Sequence, residues 1–203
     1  MRHCESMGNV GVPFPDFHPD DPPLTKNGRI EAKKLSLIFN SCDDIRIYAS
    51  TLIRACETAQ PTAERLGVPI TVLPELMEVG TAVPGTELQH IAALAPRALD
   101  SAEQTLPPLF EAGLSYENED AAHCIERAKR AFSIIRDAAG PGDRVLAVSH
   151  GAFFGYLLRE ALGISLPETF CWQVDNCAVT DILFQPGKLP KLRYSNDKRH
   201  LLY

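Results

Sequence analysis

Two histidines stand among the side chains of this sequence best suited to chemistry. Arg2-His3-Cys4-Glu5-Ser6 opens the chain, and Ser149-His150-Gly151 follows the apolar run Arg144-Val145-Leu146-Ala147-Val148. A neutral imidazole can attack phosphorus while fixed cations neutralise the equatorial oxygens, which is most of what phosphoryl transfer asks of a protein. Arg2 and Arg54 are the cations to watch, because a guanidinium forks onto two oxygens where an ammonium cannot. Each residue also has a plain reading on its own. A histidine at a strand end is commonly a hydrogen-bonding structural group, Arg54 a solvated helix charge, and Glu78 a surface acid beside Glu75. The case for a shared site rests on the elements that would bring them together.

Those elements alternate. The proline-rich stretch Gly11 to Pro23 is a loop, and loops next to reactive segments often form a site's rim. An amphipathic helix is expected over Arg29 to Phe39, with Ile30, Ala32, Leu35, Ile38 and Phe39 on its apolar side. Ile45 to Ala49 reads as a strand, with Ser50 or Thr51 capping a helix from Leu52 to Leu66 that Gly67 ends. Pro69 to Leu73 is a second strand. Glu119 to Ala139 forms a long helix with Ile125, Ala128, Phe132 and Ile135 on one face. Arg144 to Val148 has the continuous apolar character of a strand buried on both faces of a parallel sheet. Gly151 to Leu162 is helical, closed by Gly163, and strands follow at Cys177 to Phe184 and Lys191 to Tyr194. The expected fold class is α/β, with helices on both faces of a mostly parallel sheet. In such sheets ligands gather at the carboxyl ends of the strands, so His3, the start of the Arg54 helix and His150 converge on one rim.

The totals bound the answer further. A chain of 203 residues suffices for one domain, taken here as residues 1–203, with 79–118 as an insertion or cap over the site. The net charge of -6 and the lack of a Lys/Arg run argue against nucleic-acid binding. Any anion must then be held by a concentrated local cationic site. Six cysteines without paired spacing read as reduced thiols. No apolar run has the length of a membrane span and no secretory signal is visible, so the expectation is a cytoplasmic protein without membrane partners.

Four segments together resemble the successive signatures of the histidine phosphatase superfamily, the phosphoglycerate-mutase-like clan. They are Arg2-His3-Cys4-Glu5-Ser6, Asp21-Pro22-Pro23-Leu24-Thr25-Lys26-Asn27-Gly28, Ser50-Thr51-Leu52-Ile53-Arg54-Ala55-Cys56-Glu57-Thr58-Ala59 and Val148-Ser149-His150-Gly151, in the family order. The resemblance implies a three-layer α/β/α sandwich and a phosphohistidine intermediate. It makes His3 the nucleophile, and Arg2, Arg54 and His150 the phosphate pocket, with His150 counted among the catalytic residues. Glu78 is the preferred acid/base, because Pro74-Glu75-Leu76-Met77-Glu78 resembles a stretch in the phosphatase branch; Glu75 is the competitor. Asn9, Ser149 and Gly151 are rim candidates. No metal ligand and no cofactor are expected. The other ring nitrogen of His3 should donate to a carbonyl or carboxylate, which fixes its tautomer.

Two departures stand out. Cys4 occupies a position where most family members have glycine, and a thiol beside the nucleophile raises the hypothesis of oxidation sensitivity. The hydrophobic strand that family members carry before Arg-His is reduced to Met1, so the first strand is expected truncated or absent, and the natural chain is expected to begin further upstream. For the reaction, hydrolysis of a small-molecule or protein phosphomonoester is the leading reading. A mutase needs further cations after the acid/base, and Val79 to Leu94 contains no Lys or Arg, Arg97 being the next. A mutase-type phosphotransferase and a catalytically silent phosphate-binding module are the alternatives, and a homodimer is allowed.

Overall fold

The computed structural model describes residues 1–40, 44–83, 114–165 and 172–203. In chain order the elements are α1 (Met7–Val10), α2 (Lys26–Ser36), β1 (Ile45–Ala49), α3 (Ile53–Leu66), β2 (Ile70–Val72), a 3-10 turn (Pro74–Leu76), β3 (Ala82–Val83), β4 (Leu114–Ser115), α4 (Ala121–Ala138), β5 (Arg144–Val148), α5 (Gly151–Leu162), β6 (Val179–Leu183), β7 (Lys191–Asp197) and a closing 3-10 turn (Arg199–Leu202).

The centre is a parallel sheet in the order β2-β1-β5. Its pleat sorts the side chains into two layers. Ile45, Ile47 and Ala49 of β1 and Leu146 and Val148 of β5 face α2 and α3, joining Ala32, Leu35, Ala55 and Ala59 in one apolar cluster. Tyr48 and Ala147 point the other way, into a cluster with Ala128, Ala131, Ile135 and Phe153 from α4 and α5. This is the expected three-layer arrangement. Arg46 pairs with Val145 at the start of the strands, on the face of Tyr48 and Ala147 but outside that cluster. Val145 is accordingly 36% exposed, so β5 is not buried on both faces along its whole length.

Residues 1–3 form a short N-terminal strand segment. Arg2 forms a parallel bridge with Ser149, the Met1 nitrogen donates to the Ala147 carbonyl, and the His3 N–H donates to the Ser149 carbonyl. On its other side the Cys177 N–H donates to the His3 carbonyl at 3.0 Å, and Arg2 N–H reaches Ala178. Residues 1–3 thus lie between the end of β5 and the entry to β6, with ladder bonds made on both edges. The ladder groups at the strand's carboxyl end, the part that aims His3, are therefore paired.

Caps and close approaches fix the helices. Thr25 caps α2 by accepting from the Gly28 N–H. α2 therefore begins earlier than its apolar pattern indicates, and Ile30 and Ile38 are exposed, while Ala32, Leu35 and Phe39 are buried. A Cβ on Gly28 would stand 2.0 Å from the Glu5 carbonyl oxygen, so only glycine lets α2 pack on the segment after His3. Gly67 and Gly163 end α3 and α5 in the left-handed conformation, as expected. Most of 79–118 lies outside the described residues; its described flanks pair as the antiparallel β3–β4 ladder. β6 and β7 form an antiparallel hairpin. Among the described residues no helix is long and apolar enough to cross a membrane.

Candidate active site

His3 and His150 meet at the carboxyl rim of the sheet, ring centroids 5.1 Å apart. His3 is buried, and its Nδ1 lies 2.7 Å from the Cys4 carbonyl. A carbonyl only accepts, so Nδ1 carries the hydrogen and Nε2 keeps the lone pair. Burial, and then the charge of Arg54, hold the ring well below the ordinary histidine pKa, so it is neutral. A neutral imidazole with a free Nε2 is the form that attacks. The segment is tied from behind: Cys4 N–H donates to Thr58 Oγ1, and Asn176 Nδ2 donates to the His3 and Cys4 carbonyls.

His150 is fully buried, at the N-cap of α5. Its Nε2 sits 2.7 Å from Ser50 Oγ, which already accepts the Leu52 N–H. A Ser50 hydroxyl that donates its proton to Nε2 puts the ring hydrogen on Nδ1. That Nδ1 is buried and has no partner. Burial first, then Arg54 and His3, hold His150 neutral as well. It therefore serves as a neutral donor rather than the charged group that an imidazolium would be.

The two arginines are gripped so that their charge faces this pair. Arg2 Nη1 donates to the Val174 carbonyl at 2.7 Å, while its buried Nε is unpartnered. A Cβ on Gly151 would come within 3.3 Å of the guanidinium, so the glycine at the start of α5 makes room for Arg2. Arg54, in the first turn of α3, is 6% exposed. It donates to the Asp20 carbonyl at 3.0 Å and pairs with Asp21 at 3.7 Å. Asp21 in turn accepts the Ile53 N–H at 2.7 Å, tying the loop to the start of α3.

Glu78 completes the rim. Its carboxylate accepts from the Ala152 and Phe153 N–H groups at 3.2 and 2.9 Å, at the N-terminus of α5. From there its charge acts on both Arg2 and Arg54. Glu75 lies in the 3-10 turn, where its charge acts on Tyr116 and its carbonyl accepts from Arg127. The rim candidates divide. Gly151 gives Arg2 its space. Ser149 points inward, its hydroxyl bonded to the Leu76 carbonyl, so it holds the scaffold instead of lining a rim. Asn9 turns its Oδ1 to Ser6 and to Asn176 Nδ2.

Several positioning residues escaped the sequence reading. Arg127 is fully buried in the middle of α4, where a charge reads as solvated. It forks onto Glu119, donates to the Glu75 and Met77 carbonyls, and lies between the Tyr116 and Phe153 rings at 4.2 and 3.8 Å. It thereby fixes the backbone just before Glu78. Neither Ser50 nor Thr51 caps α3, whose N-cap is Leu52 with no side-chain cap bond, and Ser50 instead partners His150 Nε2. Cys4 is buried, and desolvation raises its pKa strongly, so its thiol stays protonated beside His3.

The family model of the histidine phosphatase superfamily (branch 1) matches residues 1–198. The chain belongs to the histidine phosphatase superfamily. A probable phosphatase of Schizosaccharomyces pombe is 30% identical over 168 residues, which is 80% of this chain and 55% of that protein. The chain thus spans little more than half the length of that relative. A probable phosphoglycerate mutase, GpmB of Yersinia enterocolitica, is 26% identical over 185 residues, covering 91% of this chain and 83% of that one. Among solved structures, YhfR of Bacillus stearothermophilus superposes with a TM-score of 0.68 at 24% identity, over 98% of this chain and 96% of that one. A phosphoserine phosphatase of Entamoeba histolytica gives 0.65 at 21%, over 98% and 96%. The likenesses to solved structures are to the fold.

Proposed function

We propose that this superfamily member is a phosphomonoester hydrolase that works through a phosphohistidine on His3. The observation that carries this is the pairing of a buried imidazole whose Nε2 is free with two buried, unpartnered donors, His150 Nδ1 and Arg2 Nε. Buried polar atoms are ordinarily satisfied, so two orphaned donors beside a nucleophile call for an oxyanion. In the first step His3 Nε2 attacks phosphorus. Arg2, Arg54 and His150 hold the equatorial oxygens, and Glu78 protonates the departing alcohol. In the second, Glu78 takes a proton from water, which attacks the phosphohistidine and regenerates the free imidazole. The arginines and the His150 donor supply the charge neutralisation, so no added divalent cation is required.

Water is the acceptor because the stretch after Glu78, Val79 to Leu94, brings no lysine or arginine to regrip a phosphorylated acid. The relatives with mutase names make transfer the second reading. Incubation with para-nitrophenyl phosphate, without added magnesium or manganese, tests both. Turnover that His3→Ala abolishes supports hydrolysis. Transfer to phosphoglycerate exceeding release to water would favour the mutase, and phosphate binding without turnover of any monoester would favour a silent module.

A further inference from the structure

Behind the nucleophile the fold gathers a second cluster that the phosphoryl chemistry does not use. Cys4, Glu31 of α2 and Cys177 offer ligand atoms that all lie within 4.8 Å of one another. The Cys4 and Cys177 sulfurs are 2.8 Å apart, and His200 Nε2, from the closing 3-10 turn, stands 3.5 Å from the Cys177 sulfur. Spacing along the sequence hides this set, since its members come from opposite ends of the chain.

We propose that Cys4, Cys177, Glu31 and His200 form a tetrahedral site for a zinc-type divalent cation. Two sulfurs, an imidazole nitrogen and a carboxylate oxygen are the donors such an ion takes in closed structural sites. With Zn–S near 2.3 Å and Zn–N near 2.05 Å, the tetrahedral S···N edge is about 3.6 Å, close to the spacing of His200 and Cys177. The S···S edge would be about 3.8 Å, so the sulfurs must part by roughly 1 Å when the ion enters, and His200, which lies beside Cys177 but outside the mutually close set, must swing in. At present they share an S–H contact. Loss of both thiol protons on binding leaves two thiolates and a carboxylate, whose mutual repulsion opens the pair and which the dication holds together.

The surroundings are built to aim these ligands. Glu31 Oε2 accepts the Glu5 N–H at 2.9 Å, and the Cys4 N–H is held by Thr58 Oγ1. Lys34 Nζ donates to the Leu201 carbonyl, which pins the turn carrying His200 against α2. Cys177 itself adopts a left-handed backbone, φ 58°, that a residue other than glycine accepts only where its surroundings impose it. Both sulfurs are buried, while Glu31 and His200 are half-buried and form the way in. A disulfide would need the two sulfurs alone and would leave the carboxylate and imidazole without purpose. The ion would clamp the N-terminal stub, α2 and the C-terminal turn directly behind His3.

The test uses the full chain, reduced and purified without chelator. Elemental analysis should find about one equivalent of zinc retained through gel filtration. Titration with cobalt(II) should produce an intense near-ultraviolet thiolate-to-metal band with the visible spectrum of a tetrahedral ion, a readout independent of turnover. Cys177→Ser should abolish the band, and Glu31→Gln, isosteric at a half-buried position of α2 and expected to fold, should weaken binding at least tenfold. Thermal unfolding of the wild type should rise with added zinc and that of Cys177→Ser should not. No uptake by the reduced wild type, an unchanged cobalt spectrum in Cys177→Ser, or isolation of a protein lighter by two hydrogens with Cys4 and Cys177 joined would each overturn the proposal.

Discussion

We assign the acid/base role to Glu78 over Glu75 from what each carboxylate's segment touches. Glu78 sits on the N–H groups that open α5, one turn from His150, whereas Glu75 belongs to a turn whose carbonyl feeds Arg127. Glu78→Gln should therefore lower kcat by about 10²- to 10⁴-fold, the range for loss of a general acid/base. Glu75→Gln should stay within a few fold, and steady-state kinetics on para-nitrophenyl phosphate read the difference. His150→Asn should weaken inorganic phosphate inhibition as well as turnover, because it removes an oxyanion donor. That Arg2, His3, Arg54 and His150 come together was legible in the sequence, because each sits in a short segment of distinctive composition. That the second ring nitrogen of His3 meets a carbonyl was legible too, but not which carbonyl, nor that Ser50 partners His150, because those contacts are set by the closing of the sheet.

At the scale of elements, two close approaches carry the site. Gly28 lets α2 touch the Glu5 carbonyl, and Arg127 fixes the turn before Glu78. Gly28→Ala should cost about 1–3 kcal/mol by overpacking against backbone, read as a lower urea midpoint at unchanged slope, with kcat reduced because the displaced segment adjoins His3. Arg127→Ala should cost about 3–5 kcal/mol, since it strands Glu119 buried and unpaired; chemical denaturation measures it. The main helices and strands were readable from periodicity, caps and terminal glycines, with boundaries moved by a few residues where Thr25 capped early. Arg127 was not, because a lone arginine on a helix looks solvated until Tyr116, Phe153 and Glu119 are seen around it. The first strand is expected truncated or absent, and residues 1–3 are found paired between the end of β5 and the entry to β6, pairings no local pattern announces.

For the whole molecule, the buried neutral His150 ties stability to pH. Burial lowers its folded pKa below the unfolded value near 6.5, so the unfolded state binds the proton first as pH falls. Stability is then fully present above about pH 6.5 and is lost on acidification below it, by up to about 1.4 kcal/mol per pH unit for this group. Thermal unfolding midpoints between pH 7.5 and 5 should fall less steeply for His150→Asn than for the wild type. The central claim is covalent chemistry at His3, and one trapping experiment addresses it most directly. The enzyme is mixed with a phosphate-labelled monoester, quenched in denaturant within a turnover, and mapped by peptide mass spectrometry. The account predicts an acid-labile, base-stable phosphoryl group on His3, absent in His3→Ala. Rapid turnover with no label at His3, or with label on another residue, would contradict it.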